Sequence, residues 1–62
     1  MKDRIFNIKE FIDKNGKVTF RELENAFPDV SSMTIRRDLA KLEEQNSIIK
    51  ISGGAISVDS FI

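Results

Sequence analysis

The residues best equipped for chemistry lie in one short run, Ser31-Ser32-Met33-Thr34-Ile35-Arg36-Arg37-Asp38-Leu39. Hydroxyls at Ser31, Ser32 and Thr34 precede two adjacent arginines. An arginine can fork two N–H donors onto guanine O6 and N7 or onto a phosphate, and a hydroxyl can donate to either. Lys41 follows Arg37 by one helical turn, and Lys50 adds a further cation. This is equipment for holding an anion or a base edge, not for breaking a bond. The chain has no histidine and no cysteine. It therefore lacks the commonest general base and the usual zinc ligands. No pair of its ten carboxylates falls in an apolar, pocket-forming stretch. No enzyme, metal or cofactor is expected. Gly53-Gly54 lacks the Lys-Ser/Thr ending of a phosphate loop and reads as a turn.

Three helices must position this run. Ile5, Ile8 and Ile12 recur at helical spacing, widened by Phe6 and Phe11, with Lys2, Lys9, Glu10, Asp13 and Lys14 opposite. A first helix is expected from about Asp3 to Lys14, stopped at Asn15-Gly16 because both types tolerate left-handed angles. Lys17-Val18-Thr19 is too short to assign as a strand by pattern. Thr19 with Glu22 forms a capping box, and Val18 with Leu23 occupies the staple positions. A second helix should start at Phe20, carry Leu23, Ala26 and Phe27 toward the core, and stop before Pro28. Pro28-Asp29 is the turn. Ser31 is a good N-cap for a third helix, with Val30 and Ile35 as a second staple. Ile35, Leu39 and Leu42 form its buried stripe, and it should run to about Gln45 with Asn46 as a left-handed stop. Two β-branched runs, Ile48–Ile51 and Ala55–Val58, flank Ser52-Gly53-Gly54 and read as a hairpin.

A wheel at about 100° per residue sorts the third helix. With the stripe inward, Met33, Arg37, Ala40 and Glu44 point most directly out. Lys41 lies beside them, Thr34 borders one side, and Arg36 and Ser32 border the other. The first half of the outward face is cationic and slender; Glu43 and Glu44 close the second half. Phosphates repel carboxylates and favour a helix N-terminus. The helix should thus approach a major groove N-terminus first. Arg37 is placed for base readout, Arg36 and Lys41 for phosphates, Ser32 and Thr34 for either, and Met33 for a thymine methyl. The plainer alternative is that an Arg-Arg pair on a helix is a solvated face. Ser31 and Thr19 read as caps alone, and Asp38 at the stripe's edge as a structural ion-pair partner.

The order of elements is that of a winged helix-turn-helix: mainly α, a three-helix core plus a small β-hairpin wing. Residues 1–58 should form this domain, with the helix-turn-helix at about 20–45 and the wing at about 48–58. Residues 59–62 are left as a tail or the start of a linker. Sixty-two residues allow one marginally stable domain. Ten Lys and Arg balance ten Asp and Glu. That excludes binding nucleic acid by bulk charge and leaves the work to a few placed cations. Such a small neutral module should bind DNA weakly alone, which favours a fragment of a larger or repeated protein. No apolar run approaches the ~18 residues of a membrane span, and no signal peptide is visible, so a cytoplasmic protein is expected.

Val30-Ser31, Thr34-Ile35-Arg36-Arg37-Asp38-Leu39, Leu42-Glu43, Lys50 and Gly53-Gly54-Ala55 together resemble the N-terminal domain of DeoR-type bacterial transcription regulators. Gly16, Val18, Leu23 and Phe27 fit the same pattern, so the resemblance covers nearly the whole chain to Ala55. It implies a winged helix-turn-helix that binds operator DNA, usually as a repressor, within a homo-oligomer. It also implies a separate C-terminal effector domain, absent from this chain, that senses a phosphorylated sugar or related metabolite. DNA contact would fall on Ser32, Thr34, Arg36 and Arg37 in the helix and on Lys50, Gly53 and Gly54 in the hairpin. The sequence departs from the family at three places. Pro28-Asp29 stands where one residue, often glycine, is common; Asn46 replaces a usual glycine; Ser52 replaces a frequent histidine at the hairpin tip. The competing expectation, suggested by zero net charge and Glu43-Glu44, is a winged helix that binds a protein partner and no DNA.

Overall fold

The computed structural model describes residues 3–61, with side chains through Asp59. Lys2 and the ends of the expected domain and tail, residues 1 and 62, lie outside the described residues. The elements run α1 (Arg4–Asn15), β1 (Lys17–Thr19), α2 (Phe20–Ala26), α3 (Ser32–Glu44), β2 (Ile48–Ile51), β3 (Gly54–Ser57) and α4 (Val58–Phe61).

Asp3 caps α1 and is not its first turn: its carboxylate accepts the Phe6 N–H at 2.8 Å. Ile8 and Ile12 are fully buried, whereas Phe6 stays 45% exposed and so does not widen the buried stripe. Helix α1 takes in Asn15. Gly16, at φ 81°, ends it by donating its N–H to Ile12 O at 2.7 Å. The capping box of α2 is present in both directions. Leu23 is buried and Phe27 packs on the core, but Ala26 is exposed, contrary to the expected inward face. Phe27 leaves the helical angles (φ −127°), because Pro28 follows it. The Pro28-Asp29 turn is tight. Val30 N–H reaches Phe27 O at 3.0 Å, so Pro28 takes the second position of a β-turn, where its fixed φ fits. Phe27 also meets Phe11 edge to face, with ring centres 5.9 Å apart, which ties the turn to α1.

Lys17–Thr19 is a strand after all. The sheet has three antiparallel strands in the order β1-β3-β2, not a bare hairpin. Three residues carry no readable alternation, and the pairing that makes them a strand lies far along the chain. The partners are Val18 with Ala55 and Thr19 with Gly54. A Cβ on Gly54 would stand 2.0 Å from Val18 O, so only glycine lets β3 lie this close to β1. The last strand ends at Ser57 and not at Val58, which enters the α4 turn with its N–H on Ser47 O at 3.3 Å. Helix α3 stops at Glu44, one residue earlier than expected, and Asn46 takes the left-handed angle (φ 61°) that returns the chain.

Ile8, Ile12, Val18, Leu23, Ile35, Leu39, Leu42, Ile48 and Ala55 make one buried cluster across all the main elements. Two buried polar groups are satisfied within it. Asp38, fully buried on α3, takes both Nε and Nη2 of Arg4 on α1, the second at 3.1 Å. Ser57 donates its hydroxyl to Asp13 at 2.9 Å and its N–H to Gly16 O at 2.8 Å. Lys9 completes the second group with a 2.6 Å ion pair to Asp13.

Candidate nucleic-acid interface

Helix α3 is fixed on its inner side by Ile35, Asp38, Leu39 and Leu42, all buried. Its outer side is therefore set by the remaining residues. Met33 is 73% exposed, and Arg36, Arg37, Ala40, Lys41, Glu43 and Glu44 are all exposed, whereas Thr34 is half-buried. This is the division that the wheel requires. Among the described residues, no hydrogen bond or ion pair engages the side chains of Arg37, Lys41 or Lys50. Three cations thus stand available to an external anion.

The start of α3 is more constrained. Ser31 Oγ accepts the Thr34 N–H at 3.2 Å and donates to Thr34 Oγ1 at 2.9 Å. The Thr34 hydroxyl proton remains able to donate outward. Ser32 donates its hydroxyl to Glu24 on α2 at 2.6 Å. No sequence signal marks that pairing: the two residues sit on different helices, and no periodicity links them.

Arg36 is also held. Its guanidinium carbon lies 4.6 Å from the centre of the Phe20 ring, a cation–π contact. Phe20 in turn donates its N–H to Gly53 O at 2.9 Å. Arg36, the first residue of α2 and the hairpin tip are therefore joined in one chain of contacts. The only sequence signal for this is an aromatic residue directly after the Thr19 N-cap.

The wing splits the remaining expected residues. Lys50 lies opposite Ala55, which lies opposite Val18. Cross-strand partners project to the same face, so Lys50 shares the face of buried Val18 and Ala55 yet is itself exposed. It extends past the core on the side of the sheet that packs on the helices. Gly53 is exposed at φ 80° with open space around its Cβ position, as a tight tip requires. Gly54 is buried, and packing against β1 accounts for it.

The DeoR-like helix-turn-helix domain matches residues 4–61. The chain belongs to that family. In this DeoR-like domain, α2, the Phe27–Val30 turn and α3 are the helix-turn-helix, and β2 with β3 is the wing. Its curated relatives include the lactose phosphotransferase system repressor of Staphylococcus epidermidis, 44% identical over 59 residues, or 95% of this chain and 23% of that protein. The HTH-type transcriptional repressor GlcR of Bacillus subtilis is 43% identical over 54 residues, 87% of this chain and 20% of that protein. The HTH-type transcriptional regulator IolR of Bacillus subtilis is 41% identical, covering 90% of this chain and 22% of that protein. The chain spans less than a quarter of the length of these relatives. No solved structure gives a significant match. Among the described residues, no helix is long and apolar enough to cross a membrane.

Proposed function

We propose that this DeoR-like domain reads operator DNA for a bacterial transcription repressor. The observation that carries the reading is the exposed row Met33, Arg37, Ala40 and Lys41 on a helix whose other side is locked into the core. The N-terminal half of α3 enters the major groove. Arg37 forks onto a guanine, Met33 meets a thymine methyl, and the Thr34 hydroxyl donates to a base or phosphate. Ala40 leaves room for close approach. Arg36 and Lys41 take flanking phosphates, while Glu43 and Glu44 mark where the groove must end. Ser32 borders the groove on the α2 side. Lys50 and the Gly53 tip lie on backbone or in the minor groove. Gly54 serves by letting the wing seat on β1.

The zero net charge makes this a specific but weak module, which favours a second copy held by a C-terminal effector domain such as the longer relatives have room for. That whole protein would work in the cytoplasm as a binder and not as an enzyme. The domain is best drawn as residues 1–58, or through 61 if the α4 turn is counted.

Selection of duplexes from random DNA, followed by binding titrations across salt, tests the reading. With Arg36, Lys41 and Lys50 on phosphates, the slope of log affinity against log salt should be about −3. Failure to retain any duplex at low salt would overturn it, and retention of a protein partner by the α3 face would replace it.

A further inference from the structure

We infer that Glu24 is a specificity-determining residue of this interface, an inference that rests on the DNA-binding reading above. Glu24 is exposed on α2, and its carboxylate accepts the hydroxyl of Ser32, the first residue of α3, at 2.6 Å. The carboxylate is thereby fixed beside the end of the recognition helix that leads into the groove. In most DNA-facing surfaces this neighbourhood favours phosphate. Here it carries a full negative charge on a tether. A phosphate approaching it is repelled. A base edge that donates is welcomed, and among major-groove donors the cytosine N4 amine is the one a carboxylate pairs with best.

The two environments differ in sign. On random DNA the domain is held by phosphates alone, and Glu24 opposes it. On its preferred site the same carboxylate faces an exocyclic amine and gains a hydrogen bond. Glu24 thus lowers affinity for wrong sequences more than for the right one. It also accounts for a feature that the net charge leaves unexplained: a DNA-reading surface that tolerates an acid at its leading edge.

The experiment compares the wild-type chain with Glu24→Gln and Ser32→Ala. Glutamine keeps an acceptor for Ser32 and removes the charge. Glu24→Gln should bind random duplex about fivefold more tightly, the order expected for one charge pair near the surface. It should gain little or nothing on the duplex selected by the wild type. The preference for one C·G pair should fall away in a renewed selection. Ser32→Ala keeps the charge but frees the carboxylate, so the preference for that C·G pair should blur. A thermal melt unchanged in Glu24→Gln separates this role from a merely structural one. Equal strengthening of random and selected duplex by Glu24→Gln, or no change in either, overturns the inference while leaving DNA binding intact. A wild type that binds no duplex overturns both.

Discussion

The Arg36 guanidinium stacks 4.6 Å from the centre of the Phe20 ring, across the gap between α3 and the start of α2. Because Phe20 N–H also holds Gly53 O, this stacking links α3 to the wing tip. The contact restricts the rotamers open to Arg36, so less side-chain freedom remains to be lost should the guanidinium take the phosphate proposed for it. An exposed cation–π contact contributes about 0.5–1 kcal/mol. A double-mutant cycle of Phe20→Leu and Arg36→Met, followed by urea unfolding, should return a coupling of about that size. Additive effects would show that the stacking is incidental.

The two adjacent glycines of the wing should behave differently. At Gly54 an alanine Cβ would fall 2.0 Å from a backbone oxygen, so β1 and β3 must separate. Gly54→Ala should destabilise the fold by about 1–3 kcal/mol or more, read by chemical denaturation. At Gly53 there is space, and only the positive φ resists. Gly53→Ala should cost about 1–2 kcal/mol and leave the sheet intact by amide exchange.

The Lys9–Asp13–Ser57 group sets a pH dependence. Burial pushes the Asp13 carboxyl up, but the hydrogen bonds from Lys9 and Ser57 and the charge of Lys9 outweigh it, leaving the group below the ordinary 3.8. Its contribution is therefore full above the unfolded value and lost as pH falls through the lower folded one. The hydrogen bond to Asp13 raises Lys9 above 10.5, so the Lys9 contribution is full below that value and lost as pH rises past it. Melting temperature should stay level through neutral pH and drop at both ends. Asp13→Asn should lower the plateau and shrink both limbs. An unchanged acid limb in that variant would contradict the assignment.

The helices were legible because each carried its own local signals. Thr19 with Glu22, Ser31 before Ile35, and Asn46 after the last stripe residue all lie within a turn of the boundary they set. The outward face of α3 was legible for the same reason, since Ile35, Leu39 and Leu42 fix the wheel. Asp38 also showed itself as an ion-pair partner at the stripe's edge, although nothing local named Arg4. What escaped depends on contacts distant in sequence. Strand β1 exists through β3, Gly54 is glycine because of Val18, and Glu24 meets Ser32 across the turn. Ala26 was misplaced because α2 is short, so a small residue near its end carries little information on facing.

In the proposed function the outer face of α3 reads bases through Arg37. The most direct measurement is the affinity of wild type and Arg37→Ala for the selected duplex and for its single-base variants at fixed low salt. Wild type should lose about 1–3 kcal/mol at one G·C pair, and Arg37→Ala should bind that pair and its variants alike. An Arg37→Ala protein with the full base preference of the wild type would contradict the account.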